Sequence, residues 1–258
     1  MEQIVTIEKE RRLEVAYRNV LVVEHLYKSF GENNVLVDFE LKLKKGENVA
    51  VLGKSGSGKS VLIKCIIGLL LPDSGNINVL GQDIDELSIH EMDELRTKIG
   101  FLFQSNALYD SMTVRENLEF PLRRHWIKLS AFERDKKVME VLTNVGLAHT
   151  VDMMPAELSG GMRKRIALAR TLILDPEIIL YDEPTTGLDP ITGKGISTLI
   201  KEMGEKYNTS ALIISHDMSC IRATADRIVM LIDGRCYAGG TYEELRENKD
   251  PKVKQFFE

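Results

Sequence analysis

Between residues 48 and 71 the chain passes from a continuous apolar run, Asn-Val-Ala-Val-Leu, through Gly53-Lys54-Ser55-Gly56-Ser57-Gly58-Lys59-Ser60, and into a helical pattern that Pro72 closes. No other stretch narrows the fold as much. A run that apolar reads as a strand buried on both faces, which occurs in parallel sheets covered by helices. The octapeptide matches GxxxxGK[ST], and its context is the required one, a buried strand before it and a helix after it. Its glycines let the backbone curl until successive N–H groups face an oxyanion, and the helix N-terminus adds its positive dipole end. Lys59 can then reach the β- and γ-phosphates of a nucleotide, and Ser60 offers its hydroxyl to Mg2+.

The rest of the pattern agrees with an α/β chain. Further β-like runs fall at 20–23 and 35–43, and later at 178–181, 211–214 and 228–232, with a helix predicted over 192–207. Asp233-Gly234 is a tight-hairpin signal. Strands alternating with helices imply a parallel sheet. Residues 106–174 read as helical and as an insertion between the strand before Lys59 and the strand ending at Tyr181. That strand runs into Asp182 and Glu183, carboxylates at the strand end where α/β sheets bind ligands. Asp182 suits Mg2+, and Glu183 suits orienting or deprotonating an attacking water.

Composition removes several classes. The 258 residues, 43% hydrophobic and 28% charged, suit a soluble globular protein of one large or two small domains. A net charge of −5 gives no general affinity for nucleic acid. No apolar run approaches the ~18 residues of a membrane span. Residues 1–13 lack the apolar core of a secretion signal. Cys65, Cys220 and Cys236 are far apart and form no CxxC, so the chain reads as an intracellular protein without a cysteine metal site.

Leu158-Ser159-Gly160-Gly161-Met162 resembles the signature motif of the ATP-binding cassette (ABC) ATPases. Other family motifs follow in order. Gln104 comes after a strand at 99–103, like the Q-loop; Gly187-Leu188-Asp189 resembles the D-loop; His216 follows the strand at 211–214, like the switch histidine. Phe30, in Lys-Ser-Phe-Gly, falls where the family stacks an aromatic ring on adenine. The resemblance covers residues 20–245 and makes them one ATPase domain, with a helical subdomain at about 106–174, an N-terminal extension at 1–19 and a tail at 246–258. It implies a P-loop (RecA-like) parallel sheet core with an antiparallel β subdomain and an inserted α-helical subdomain.

The resemblance also implies a division of labour. ATP would lie on Phe30, Gly53, Lys54, Ser55, Gly56, Ser57, Gly58, Lys59, Ser60, Val61 and Gln104, with Mg2+ at Ser60, Gln104 and Asp182, and with Glu183 and His216 as catalytic groups. Leu158, Ser159, Gly160, Gly161 and Met162 would act on the ATP of a second copy, and Asp189 would be the D-loop residue. Ser159 and the following N–H groups form another anion cradle at a helix start. Two copies would therefore close head-to-tail around two Mg-ATP. Taken singly, His216 reads as a strand-end hydrogen-bonder, Gln104 as a loop amide, Phe30 as core packing and Ser159 as an N-cap. Arg163-Lys164-Arg165 reads as a solvated helix face rather than a polyanion site. Val61 stands where many family members have Thr.

Three stretches are similar to the ATPase of Mla-type phospholipid transporters. They are Met154-Pro155-Ala156-Glu157-Leu158 with the signature, Phe103-Gln104-Ser105-Asn106-Ala107-Leu108 with Pro121-Leu122-Arg123, and the tail from Asp250 to Phe257. This implies a separate integral-membrane permease of the MlaE type, an MCE-domain lipid-binding protein of the MlaD type and, in some systems, a STAS-domain protein. The ATPase would then sit on the cytoplasmic side of the inner (plasma) membrane. Residues 104–121, with Ala107, Leu108, Tyr109 and Met112 as apolar candidates, would grip the permease. The tail reads as a short helix with Asp250 at N-cap, Pro251 at N1 and Val253, Phe256 and Phe257 on one face, docked on its own domain or on the neighbouring subunit. An ABC ATPase for another cargo and an iron–sulfur assembly ATPase are the rivals; a P-loop kinase or GTPase leaves Ser159-Gly160-Gly161 and His216 unexplained.

Overall fold

The structure is a computed structural model that describes residues 19–124 and 127–258. The predicted N-terminal extension therefore lies outside the described residues, apart from Asn19.

Ten strands are described, in two sheets. The larger has the order β10-β9-β3-β8-β7-β6, from Arg235–Gly240 (β10), Arg227–Ile232 (β9), Asn48–Leu52 (β3), Ser210–Ser215 (β8), Ile178–Asp182 (β7) and Ile99–Leu102 (β6). Its strands are parallel except β10, which returns antiparallel on β9. Asp233 (φ 51°) and Gly234 (φ 76°) make that turn, both left-handed as a type I′ hairpin demands. Every residue of β8 is buried, as the unbroken apolar run requires. Alternate residues feed different faces. Val49, Val51 and Leu212 pack under helix α1 (Lys59–Ile66), while Ala211, Ile213 and Tyr181 pack under α5 (Gly160–Leu172) and α6 (Pro190–Tyr207).

The smaller sheet is antiparallel, order β2-β1-β4-β5, from Asn33–Lys44, Asn19–Phe30, Ser74–Val79 and Gln82–Asp83. Strands β1 and β2 have 12 residues each, so β1 far exceeds the 20–23 run while β2 extends the 35–43 run only slightly. The alternation was broken by register shifts near His25 (φ 49°) and Asp38 (φ 53°), which swing side chains out of phase. Asp73 latches this sheet by accepting from Lys28 Nζ (2.7 Å) and from the Ser29 N–H and hydroxyl (2.6 Å each). Those bonds, Lys28 first, pull its pKa down to about 2. Because the folded pKa lies below the unfolded one, the latch contributes fully above about pH 4 and is lost as pH falls through about 2. In acid titrations followed by circular dichroism, Asp73→Asn should flatten that limb of the stability curve; an unchanged profile would leave the latch without energetic weight.

Two helix boundaries differ from expectation. Helix α1 stops at Ile66 rather than near Leu71, because Gly68 turns left-handed (φ 65°) and Leu69 and Leu70 return their N–H groups to the Lys64 carbonyl. The helical insertion starts at α3 (Val114–Arg124), not at 106, since Asn106 and Ala107 are left-handed (φ 66° and 51°). Between α3 and α5 lies α4 (Ala131–Asn144), opened by a Ser130–Glu133 capping box. The remaining helices are α2 (Ile89–Thr97), α7 (Met218–Thr224), α8 (Tyr242–Arg246) and α9 (Pro251–Lys254). In α9, Asp250 caps through Lys252 N (2.8 Å), and Val253 is buried against Leu52 and Ile228, so the tail docks on its own domain.

Candidate functional site

The loop between β3 and α1 is shaped by what glycine permits. A Cβ on Gly53 would lie 2.5 Å from Ser57 Oγ and 2.7 Å from the Leu231 carbonyl, and one on Gly58 (φ 102°) would lie 2.9 Å from Val35. Side chains at either position would force the loop off the sheet. Lys59 is buried and donates from Nζ to the carbonyls of Gly53 (2.7 Å) and Lys54 (2.9 Å), which holds the ammonium over the loop. Burial lowers its pKa, against the raising pull of Glu183 and Asp182. Ser57 Oγ is buried and unpartnered, a polar atom at the loop with hydrogen-bonding capacity to spare.

A cavity of about 830 Å³ opens on this loop. It gathers Phe30, Gly53, Lys54, Ser55, Gly56, Gly58, Lys59, Ser60, Val61, Gln104, Glu183 and His216, while Ser57 lines an adjoining cavity. Phe30 is 51% exposed, which rules out the core-packing alternative. At the far end, Glu183 follows β7 with φ 50°, a left-handed conformation that costs a non-glycine residue energy and is found where function demands it. Its N–H extends the β7–β8 ladder to the Ile214 carbonyl (2.9 Å). Its carboxylate is 9% exposed at residue level and is met by His216, whose Nδ1–H donates to Oε1 (2.9 Å), and by the Thr186 hydroxyl on Oε2 (3.3 Å).

Asp182, the last residue of β7, stands next to Glu183 and half-buried. Burial, then the Glu183 charge, raises its pKa, against Lys59, Lys64 and Lys164. Asp182 does not itself line the cavity that holds Ser60, Gln104 and Glu183, but it adjoins Glu183 in the chain, and its carboxylate is a hard oxygen ligand of the kind a divalent cation takes.

Residues 158–162 and Asp189 do not line this cavity. Ser159 caps α5, its Oγ accepting from Met162 N (3.3 Å), and Gly161 leaves room for Thr192, whose Cγ2 a Cβ would meet at 2.7 Å. Asp189 caps α6 through the Ile191 and Thr192 N–H groups (3.1 and 3.0 Å), bonds that hold its pKa low. The 163–165 triplet is not a solvated face. Lys164 is 1% exposed and donates to the Gln104 carbonyl (3.0 Å), Arg163 to Leu158 O (2.7 Å) and Arg165 to Val145 O (3.3 Å). The three cations staple the start of α5 to its surroundings.

Lys164 is a buried residue that composition disguised as surface, tied to the Gln104 backbone rather than lining the cavity. Replacing it by Met keeps the volume but strips the Gln104 carbonyl of its donor, at a cost of about 1–3 kcal/mol. Lys164→Met should therefore melt several degrees below wild type and, assayed well below that temperature, lose about tenfold in ATPase rate. Equal rates would show that Gln104 needs no such tether.

Other contacts also lay beyond the sequence signals. Buried Asn117 holds the loop after Gln104 through Tyr109 N (2.8 Å), Tyr109 O (3.1 Å) and Met112 O (3.0 Å). Thr185 Oγ1 donates to Asp217 (2.8 Å), tying the loop after Glu183 to the one after His216. Of the apolar candidates at 107–112, Tyr109 is exposed, whereas Leu108 packs partly into the helical cluster. Among the described residues no helix is long and apolar enough to cross a membrane.

A parallel sheet with a phosphate loop at β3, strand-end carboxylates at β7 and an inserted helical segment defines a P-loop nucleotide hydrolase. Residues 36–186 match the ABC transporter family, and the chain belongs to that family as one of its ATPases. It is 40% identical over 239 residues to the intermembrane phospholipid transport system ATP-binding protein MlaF of Haemophilus influenzae, which covers 93% of this chain and 90% of that protein. It is 44% identical over 234 residues to the probable ribonucleotide transport ATP-binding protein mkl of Mycobacterium leprae, which covers 91% of this chain. The chain spans 67% of that protein and 65% of its Mycobacterium tuberculosis counterpart, about two thirds of their length. Among solved structures it resembles the dimeric bacterial ABC transporter cassette MJ0796, with a TM-score of 0.78 and 33% identity over 86% of this chain and 98% of that one. A second structure of that cassette is a post-hydrolysis state bound to ADP and Pi.

Proposed function

We propose that the chain is the ATP-hydrolysing subunit of a phospholipid transporter of the Mla type, working as a head-to-tail dimer beneath a separate membrane permease. Its carrying observation is the convergence of the glycine-rich loop, Glu183 and His216 on one cavity, while the Ser159 helix start lies outside it. The first three elements hold and attack a γ-phosphate; the fourth is free to close on a phosphate bound by a second copy.

Within one pocket, Phe30 stacks on the adenine and the N–H groups of residues 53–61 cradle the phosphates. Lys59 exchanges its carbonyl partners for phosphate oxygens. Glu183 accepts the proton of the attacking water, and His216 holds that carboxylate in place and supports the γ-phosphate. Mg2+ would be held by Ser60, Gln104 and Asp182 and would supply charge neutralisation on the phosphates. Relief of the unfavourable Asp182 charge is the physical argument for a cation there.

The phospholipid cargo rests on the likeness to the Haemophilus protein, which this chain matches over nearly its full length. Permease, MCE-domain and STAS-domain partners come with the same reading, as does a place on the cytoplasmic face of the inner membrane. Tyr109, exposed on the loop that Asn117 braces, is the apolar contact offered to the permease. Two measurements test the whole. In gel filtration, ATP should convert the hydrolysis-blocked Glu183→Gln chain to a dimer, and adding Ser159→Arg should abolish dimerisation without loss of ATP binding. In the assembled membrane complex at fixed ATP, ATPase rate should respond to added phospholipid and not to added ribonucleoside monophosphates; the reverse response would favour the cargo named for the mycobacterial relatives.

A further inference from the structure

The C-terminal tail ends against the glycine-rich loop, a position that none of the roles above requires. Gln255 is fixed at both ends of its amide, Oε1 accepting from Lys54 Nζ (2.9 Å) and Nε2 donating to the Lys252 carbonyl (2.7 Å). The segment before it is anchored independently. Val253 is buried, Asp250 accepts from the Tyr237 hydroxyl (2.7 Å), and Lys252 pairs with Asp233 (2.9 Å). This is a built contact, not a loose end resting on the surface.

Gln255 and Phe256 line the nucleotide cavity together with Phe30 and the loop. They also line the adjoining cavity of about 540 Å³, which contains Asn33, Asn34 and Ser57 but none of Gln104, Glu183 and His216. Phe256 therefore stands on the side of the pocket near the β1–β2 turn, which follows Phe30, and away from the hydrolytic pair. An aromatic ring at that end meets a base or ribose, for which stacking and apolar contact are the fitting chemistry, and not a phosphate. Phe257 has other work, packing edge-on against Tyr242 with ring centroids 5.5 Å apart.

We propose that the tail forms a wall of its own chain's nucleotide pocket, with Phe256 contacting the nucleoside and Gln255 fastening the tail to the phosphate loop through Lys54. The inference rests on the reading of Phe30 and residues 53–61 as the nucleotide site and adds to it a contact from the opposite end of the chain. It predicts dependence on the base: a nucleotide should feel Phe256, and a bare polyphosphate should not.

The test is calorimetric binding of ATP, ADP and inorganic tripolyphosphate to the full chain. Phe256→Ala should weaken ATP and ADP about fivefold or more, the low end of a base–aromatic stack, and leave tripolyphosphate unchanged. Phe256→Leu, which keeps apolar bulk over Val253 and so protects folding, should act in the same direction. Phe257→Ala should change no affinity. Unaltered nucleotide binding in the Phe256 variants, while Lys59→Ala loses it, would overturn the tail contact and leave the nucleotide site standing. Equal weakening of ATP and tripolyphosphate would also overturn it. A wild-type chain that binds no ATP would remove the nucleotide reading and this inference together.

Discussion

Glu183→Gln is expected to bind ATP within about 1 kcal/mol of wild type and to hydrolyse it about 10²- to 10⁴-fold more slowly, the usual worth of a positioned general base. The amide is nearly isosteric, and its oxygen can still accept from His216 Nδ1, so the contact that places His216 survives. Gln tolerates the left-handed backbone at 183 no worse than Glu. What disappears is the carboxylate that takes the water's proton. A second effect runs the other way. Glu183 is one of the two causes that raise the Asp182 pKa, so neutralising it eases the charge crowding that a γ-phosphate would worsen. The variant should therefore accumulate as an ATP-bound dimer. Phosphate release and gel filtration read the two effects separately, and turnover within threefold of wild type would take Glu183 out of the chemistry.

The parts of this site that were legible in the sequence are those whose chemistry is local. The loop at 53–60 needs glycine for reasons visible within eight residues, and the strand before it needs apolar side chains because both its faces are covered. Asp233-Gly234 likewise carries its turn in two residues. Residues set by distant contacts were not legible. Lys164 looked like one of three surface cations because nothing near it in sequence reveals that Gln104, 60 residues upstream, offers it a carbonyl. The sequence signal for β1 stopped short of the bulge at His25, where a left-handed residue erases the period-2 pattern, whereas the signal for β2 ran on through Asp38. The tail showed amphipathic spacing, yet whether it docked at home or on a neighbour depended on Lys54, Tyr237 and Asp233, all remote from it in the chain.

Asp182→Asn separates what the fold wants from what the reaction wants. In the folded chain the Asp182 pKa is raised, by burial first and Glu183 second. A carboxylate with a folded pKa above its unfolded one binds its proton more tightly when folded, so ionisation costs stability at any pH above the folded pKa, and the cost vanishes below the unfolded value. At neutral pH the wild-type chain carries that cost, and the isosteric amide does not. Without nucleotide, Asp182→Asn should melt higher than wild type, by about 2–4 °C per kcal/mol recovered in a chain of this size. The gap should close as pH is lowered and Asp182 takes up its proton. With ATP present the order should reverse. Mg2+ should add to the thermal stabilisation of the wild-type chain and add little to the variant, whose amide brings no negative charge to the cation. Hydrolysis in the variant should fall by about 10²-fold or more. A variant that melts lower than wild type without nucleotide would mean that Asp182 is held by contacts that favour its charged form, and that the case for a cation at the end of β7 must be made on other grounds.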